Sequence, residues 1–287
     1  MDSQAKTSSA GNSQPLDPQP AAEQAAAAAF SRQAPLFDGL YQEDTIIQYK
    51  RQRVREHTGD FLQPGSHILE LNAGTGEDAL YFAQQGHRVH ATDISPAMQE
   101  MLHRKIADQG LSSQVTQEIC SFTELELLQN QGPFDHIFSN FAGLNCTGRL
   151  EKVLDSFQHL LKPGGHVTLV ILPKFCLWEF LLLFKGKFKT AFRRFAGRKG
   201  ARAHIEGAYF RCWYYNPSFV RRRMKARFEV CRLEGLCTLV PPSYLEHFDT
   251  KHPKMYRWLV KKEDRWKGRW PWKVTGDYYI ITLRKKQ

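Results

Sequence analysis

A short apolar strand that runs into a glycine turn and then into a helix is the feature that most constrains this chain. The stretch His67–Asp78 reads HILELNAGTGED, with the acid Glu70 in the strand and Gly74 and Gly76 in the turn. Glycines let the backbone approach a ligand closely, and the first turn of a helix offers unpaired N–H groups. The pattern therefore predicts a nucleotide-binding strand–turn–helix unit.

Strand and helix patterns alternate along the chain after residue 40. We predict strands at Ser66–Leu71, Arg88–Asp93, Gln114–Ile119, Phe134–Ser139, His166–Leu172, Phe228–Arg232 and Tyr278–Leu283. Strands that alternate with helices form a parallel sheet with helices on both faces. The expected fold class is therefore α/β with a mostly parallel seven-stranded sheet.

Candidate ligand-binding residues stand at the predicted carboxyl ends of four strands, where open α/β sheets bind ligands. Glu70 would repel a pyrophosphate but attract a cationic amino-acid group, and Asp93 can accept hydrogen bonds from ribose hydroxyls. The spacing from Gly74 to Ala79 also fits a dinucleotide fingerprint, which Glu70 disfavours. The full set of candidates is Glu70, Asn72, Gly74, Gly76, Asp93, Ser121, Phe122, Asn140 and Phe141.

Four stretches, in order, resemble the class I S-adenosylmethionine-dependent methyltransferases: Glu70–Gly76, Ala91–Met98, Phe134–Ser139 and Leu160–Gly165. The resemblance implies a Rossmann-like sheet with an antiparallel hairpin at its edge, S-adenosylmethionine as cofactor and S-adenosylhomocysteine as product. Asn72 replaces the first glycine of the family's motif. Because Asn tolerates a positive φ better than most residues, we expect a positive φ there.

Within that family, Phe141 and Asn145 loosely resemble a stretch of quinone-biosynthesis methyltransferases. The expected activity is methyl transfer to a small, apolar, lipid- or isoprenoid-like acceptor. Two alternatives stay open: an RNA methyltransferase that uses the basic half of the chain, and a cofactor-binding protein without catalysis. A base is needed only if the acceptor must lose a proton. Its candidates are His204, Glu206, Tyr214 and Tyr215.

Charge is distributed unevenly along the chain. Residues 1–150 hold 10 Lys and Arg against 18 Asp and Glu, whereas residues 151–287 hold 30 against 11. In the basic half, residues 173–216 are predicted to be an insertion containing one basic amphipathic helix. We interpret the insertion as a lid, as a membrane-surface element over residues 174–202, or as a nucleic-acid groove. Apolar residues recur there at steps of three or four: Trp178, Leu181, Phe184, Phe188, Phe192 and Phe195.

Composition sets the remaining expectations. Residues 1–34, rich in Ala, Gln, Ser and Pro, are predicted to be a disordered tail, and residues 35–287 a single methyltransferase domain. The six cysteines lack metal-ligand spacing, so we expect reduced thiols and no metal. No apolar run reaches the roughly 18 residues of a membrane span, and no signal peptide is recognised. We expect a cytoplasmic protein, with or without peripheral membrane contact, and no obligate protein partner.

Overall fold

A computed structural model of the chain describes residues 18–42, 44–205, 207–245 and 247–287. Seven strands form its main sheet, and two more form a separate hairpin. The strands are β1 (His67–Leu71), β2 (Arg88–Asp93), β3 (Val115–Ile119), β4 (Phe134–Ser139), β5 (Leu161–Ile171), β6 (Ala201–Ile205), β7 (Ala208–Cys212), β8 (Phe228–Leu236) and β9 (Tyr278–Lys285).

The main sheet has the order β3–β2–β1–β4–β5–β9–β8. Strands β1 to β5 pair in parallel, and β9 is antiparallel to both of its neighbours, β5 and β8. The predicted Rossmann-like α/β fold is thus confirmed, and its antiparallel hairpin lies at the sheet edge. Strand β5 begins five residues earlier than predicted, because Leu161 already pairs with Phe134.

Helices cover both faces of this sheet. The helices are α1 (Pro18–Gln42), α2 (Thr45–Gly59), α3 (Glu77–Gln84), α4 (Pro96–Asp108), α5 (Leu150–Leu160), α6 (Leu177–Leu181), α7 (Phe188–Phe192), α8 (Pro217–Met224), α9 (Phe248–Lys251) and α10 (Pro253–Trp266). Successive strand residues point to opposite faces. Ile68 accordingly joins a core with α2, α3 and α4, whereas Leu69 joins a core with α5 and α8. Among the described residues no helix is long and apolar enough to cross a membrane.

The amino-terminal segment differs from the prediction. Residues 1–17 lie outside the described residues, but residues 18–34 belong to α1 rather than to a disordered tail. Ala26 and Ala29 are buried against Cys146 and Phe210. Small side chains let a helix pack closely on its neighbours. The alanines of this segment therefore form a packing face.

The insertion also differs from the prediction, because residues 173–216 do not form one long helix. Helix α6 continues into a 3₁₀ turn that ends at Gly186, whose φ of +70° breaks the helical path before α7 begins. The hairpin β6–β7 then returns the chain to the sheet. Arg194 is one of the basic residues that the predicted amphipathic helix would have exposed, but it is buried and pairs with Glu179 and Asp277.

Candidate functional site

The carboxylate of Asp93 is fixed at the end of β2. The N–H of Gly74 donates to its Oδ2 at 2.9 Å, and the N–H of Ser95 donates to its Oδ1 at 2.8 Å. Burial raises the pKa of Asp93, and the backbone N–H donors partly oppose that shift. These contacts join the glycine turn after β1 to the start of α4, and they hold both carboxylate oxygens in a defined orientation beside a cavity.

Asn72 has the positive φ expected of it, at 49°. Its side-chain amide donates to the carbonyl of Asn140 at 2.9 Å, and its Oδ1 accepts from the hydroxyl of Ser139 at 2.6 Å. A Cβ on Gly143 would lie only 2.2 Å from the Asn72 side chain. Asn72 therefore ties the end of β1 to the end of β4, in space that only a glycine at position 143 leaves open.

Glu70 is a buried carboxyl group in the wall of the cavity. Its Oε2 has no hydrogen-bond partner among the described residues. Burial, followed by the nearby charge of Asp78, raises the pKa of Glu70 well above its ordinary value, and Arg51 and Arg55 oppose the shift. A buried carboxyl group without a partner is costly, so this atom indicates a cationic or proton-donating ligand.

A second buried acid in the cavity wall, Asp78, is fully paired. Asp78 accepts from Arg51 at 2.9 Å, from Arg55 at 2.7 Å and from the side-chain amide of Asn140 at 2.8 Å. The two arginines hold the pKa of Asp78 below its usual range despite its burial. The guanidinium of Arg51 also lies 4.8 Å from the ring centre of Phe141, so α2, α3 and the end of β4 meet at one point.

The backbone after β4 is strained. Phe141 and Ala142 have φ values of 47° and 59°, in the left-handed region that non-glycine residues rarely adopt. The N–H of Phe141 donates to Asn140 Oδ1 at 2.7 Å, which helps to hold this conformation. Strain of this kind costs about 1–3 kcal/mol per residue and clusters at functional sites. It turns the backbone so that the Phe141 side chain lines the cavity.

Helix α1 crosses the cavity and forms part of its wall. Ala26, Ala27 and Phe30 line it from α1, as does Glu23, whose carboxylate accepts from Thr123 at 2.7 Å and from Thr147 at 2.7 Å. Further along α1, two more contacts reach the sheet. The hydroxyl oxygens of Ser31 and Ser95 lie 2.6 Å apart, and Thr75 donates to Asp38 at 2.7 Å. The helix is thus fastened over the ends of several strands.

The structure gathers eight of the nine candidate ligand-binding residues in the cavity wall. Gly76 is the exception, because it lies in the turn beneath, where a Cβ would come within 2.1 Å of Leu102. The other eight are Glu70, Asn72, Gly74, Asp93, Ser121, Phe122, Asn140 and Phe141.

The candidate bases are not gathered there. His204 is exposed on β6 and contacts Tyr209, and Glu206 lies outside the described residues. Tyr215 donates to the carbonyl of Thr147 at 2.6 Å, and Tyr214 is buried beside Arg194. None of the three described residues lines the cavity. The returning chain passes behind the strand ends, since the N–H of Tyr215 donates to the carbonyl of Leu172 at 3.1 Å.

Several wall residues were not among the candidates, and some of them come from distant parts of the chain. Arg51 and Arg55 are four residues apart on α2, which places them on one helical face. That spacing was the local signal that the two arginines could bind one acid. No local pattern pointed to Glu23, because its partners Ser121, Thr123 and Thr147 are about 100 residues away. The wall residues that were not predicted include Glu23, Phe30, Arg51, Asp78 and Cys146.

We expect ligand binding at Glu70 to depend on pH. A cationic ligand prefers the ionised carboxylate, whereas the free site, with its raised pKa, holds a proton to a higher pH than usual. Binding should therefore release a proton, and affinity should rise with pH until Glu70 ionises in the free protein. Calorimetry with S-adenosylhomocysteine between about pH 5.5 and 8, in buffers of different ionisation enthalpy, measures that release.

The matched control for this experiment is Glu70→Gln, which keeps the shape of the side chain and cannot ionise. Its binding should be weaker than that of the native protein, and the proton release should disappear. Equal proton release by the native protein and by Glu70→Gln would show that another group titrates.

The fold and the cavity define a Rossmann-like α/β protein with a ligand site at the carboxyl ends of its strands. Sequence comparison narrows this class, because residues 68–165 match the model of a methyltransferase domain. That stretch contains β1 to β4 and most of the cavity wall. The domain match and the fold together support a class I S-adenosylmethionine-dependent methyltransferase, a family whose cofactor is S-adenosylmethionine.

Two curated proteins are similar over part of the chain. An S-adenosyl-L-methionine-dependent Diels-Alderase of Talaromyces variabilis is 36% identical over 110 residues, which cover 38% of this chain and 37% of that protein. A demethylmenaquinone methyltransferase of Symbiobacterium thermophilum is 28% identical over 140 residues, which cover 47% of this chain and 54% of that protein. The chain thus spans about half or less of the length of these relatives.

A solved structure is similar over almost the whole chain. It is the 1,6-didemethyltoxoflavin-N1-methyltransferase of Burkholderia thailandensis with bound 1,6-didemethyltoxoflavin and S-adenosylhomocysteine. The TM-score is 0.55, the identity is 17%, and the match covers 96% of this chain and 93% of that one. At this identity the likeness supports the fold, including its outer elements.

Proposed function

We propose that the chain transfers a methyl group from S-adenosylmethionine to a small apolar acceptor. The observation that carries the proposal is the pair of acids in one cavity wall. Glu70 has a buried oxygen without a partner, and Asp93 is oriented by two backbone N–H groups. An ammonium group and a ribose are the two ligand parts that this pair suits, and S-adenosylmethionine has both.

The assignment of the wall residues follows from their chemistry. Glu70 would accept from the ammonium group, and Asp93 from the ribose hydroxyls. Arg51, which lines the same cavity, would receive the carboxylate of the amino-acid end. Ser121 and Phe122 follow β3 and would border the adenine, since one is polar and the other apolar. The acids and the Ser121–Phe122 pair lie at the ends of three different strands, and Arg51 lies in the middle of α2.

The acceptor would occupy the apolar part of the cavity. Ala26, Ala27 and Phe30 of α1 line it together with Phe141 and Cys146. Burial raises the pKa of the Cys146 thiol well above its ordinary value, so the thiol stays protonated and does not compete as a nucleophile. The apolar lining supports an acceptor of matching chemistry, as does the likeness to a demethylmenaquinone methyltransferase.

Once bound, the cofactor supplies a methyl group on a sulfonium leaving group, so little covalent chemistry is left to the protein. The residues of this chain would position the acceptor in line with that methyl group and exclude water. Phe30 and Phe141 form the apolar wall for this purpose, and α1 covers the cavity. Positioning and water exclusion together supply much of the rate enhancement of such reactions.

The experiment that tests this proposal is transfer of a radiolabelled methyl group from S-adenosylmethionine into a fractionated cell extract. We expect label in the organic-solvent fraction with the native protein and none with Asp93→Ala. Asp108→Ala, an exposed acid at the end of α4, is the control and should transfer label normally.

The other outcomes separate the alternatives. Label in the RNA fraction would overturn the apolar acceptor and support an RNA methyltransferase. Absence of label, from a protein that binds S-adenosylhomocysteine, would favour a cofactor-binding protein that does not transfer methyl groups. The likeness to a Diels-Alderase, whose name gives an activity other than methyl transfer, is the reason to test for that last outcome.

A further inference from the structure

The first part of the insertion exposes a dense group of large apolar side chains. Phe184, Phe188, Phe192 and Phe195 are 84%, 62%, 54% and 56% exposed. We call this group, with the exposed residues listed next, the basic-aromatic surface. Its other members are Phe180, Leu181, Lys185, Lys187 and Lys189. Water-soluble monomers rarely expose so many large apolar side chains together, and such patches mark interaction sites.

This surface is held firmly on the sheet. The N–H of Leu177 donates to the carbonyl of Thr275 at 2.9 Å, just before β9. Arg194 donates to Glu179 at 2.6 Å and to the carbonyl of Asp277 at 2.9 Å, so it joins the insertion to the same point. The exposed phenylalanines therefore extend from a fixed base rather than from a loose loop.

The charge around the surface has one sign. Residues 173–205 contain nine Lys and Arg and one acid, Glu179. That acid is buried and is neutralised by Arg193 and Arg194. Trp270, which is 79% exposed, lies five residues before the anchoring Thr275. Positive charge beside exposed aromatic side chains is complementary to an anionic interface with an apolar interior.

The basic-aromatic surface is connected to the cavity wall along the chain, through the hairpin β6–β7. It follows the carboxyl end of β5, at the edge of the sheet where the cavity lies, and it leads into the hairpin β6–β7. Phe210 of that hairpin contacts Phe30 of α1 with ring centres 5.6 Å apart, and Phe30 lines the cavity. The insertion that carries the basic-aromatic surface thus also reaches a cavity-lining residue through its hairpin.

We propose that the basic-aromatic surface docks on an anionic lipid membrane, with its phenylalanines in the acyl boundary and its lysines among the headgroups. Phe can stack on a base, but the aliphatic Leu181 in this surface cannot, whereas both residue types enter a lipid interface favourably. Each lysine near an anionic membrane adds attraction that salt weakens. This proposal concerns binding alone and does not depend on the methyl-transfer activity.

Co-sedimentation of the purified full chain with lipid vesicles tests the docking. Vesicles of phosphatidylglycerol and phosphatidylcholine should bind the protein, pure phosphatidylcholine should bind it much less, and added salt should release it. Phe184→Ser with Phe188→Ser should lower the partition coefficient by at least about tenfold, because two exposed phenylalanines are lost from the interface. Lys185→Glu with Lys187→Glu and Lys189→Glu should lower it further.

The matched control is Ile119→Ser with Leu127→Ser. These side chains are also well exposed, but Ile119 ends β3, at the opposite edge of the sheet, and Leu127 lies in the short 3₁₀ helix Leu125–Leu127 that follows β3. The control should bind vesicles as the native protein does. Each of three results would overturn the proposal: absence of vesicle binding by the native protein, equal loss in the control, and binding to a labelled single-stranded RNA but not to vesicles.

Discussion

Replacement of Glu263 by alanine is expected to destabilise the chain by about 3–5 kcal/mol, because it removes one partner of a buried, charge-assisted network. The Glu263 carboxylate accepts from the backbone N–H groups of Cys237, Thr238, Leu239 and Val240 at 2.8, 2.9, 2.8 and 2.8 Å. The hydroxyl of Tyr49 donates to it as well, at 3.1 Å. All four N–H groups would lose their acceptor at once.

Urea unfolding followed by circular dichroism measures this loss. Glu100→Ala is the control, because Glu100 is also a helical glutamate but forms only an exposed pair with Arg104, and it should change stability by less than about 0.5 kcal/mol. A Glu263→Ala protein as stable as Glu100→Ala would show that the loop after β8 does not need this carboxylate.

The hydrogen bonds of Glu263 also support the ligand cavity. Glu263 holds α10 against the loop after β8, and through Tyr49 it also holds α2. Helix α2 carries Arg51, which pairs with Asp78 beside the cavity. A protein that survives Glu263→Ala should therefore also bind its ligand more weakly than native.

Replacement of Asp93 by alanine is expected to weaken binding of S-adenosylhomocysteine by at least about a hundredfold. Two charge-assisted hydrogen bonds to the ribose would be lost, each worth about 1.5–3 kcal/mol. The N–H groups of Gly74 and Ser95 would lose their acceptor too, so the glycine turn would be less well ordered. Isothermal titration calorimetry measures the change.

Two comparisons keep this result interpretable. Asp93→Asn keeps one carbonyl oxygen and should bind more tightly than Asp93→Ala, whereas Asp108→Ala should bind as the native protein does. Urea midpoints of all variants separate a lost contact from a lost fold. Unchanged affinity in a folded Asp93→Ala protein would show that Asp93 does not bind the ribose.

The parts that sequence predicts well are those with a local signature. Glu70 and Asp93 lie at the carboxyl ends of β1 and β2, and Asn140 directly follows β4. In an open parallel sheet such ends lie side by side. The proximity of these residues could therefore be predicted from their places at strand ends, without knowledge of side-chain contacts. The positive φ of Asn72 was also predictable, because Asn72 stands in the turn where the family's motif has a glycine.

The parts that sequence missed depend on contacts between distant segments. The alanine run of α1 has no apolar periodicity of its own, and its helix is supported by Glu23 bound to residues near positions 121–147. The spacing of Phe184 and Phe188 fitted a single long helix, yet Gly186 between them ends one helical segment before the next begins. Arg194 looked like a surface charge because its partner Asp277 is 83 residues away.

Calorimetric titration of the native protein with S-adenosylhomocysteine, and in parallel with NADH, tests whether the cavity binds S-adenosylmethionine rather than a dinucleotide. At a pH where Glu70 is ionised, we expect one molecule of S-adenosylhomocysteine bound per chain and no heat with NADH, because the Glu70 carboxylate then repels a pyrophosphate. Binding of NADH, or absence of any heat with S-adenosylhomocysteine, would contradict the assignment of the cavity.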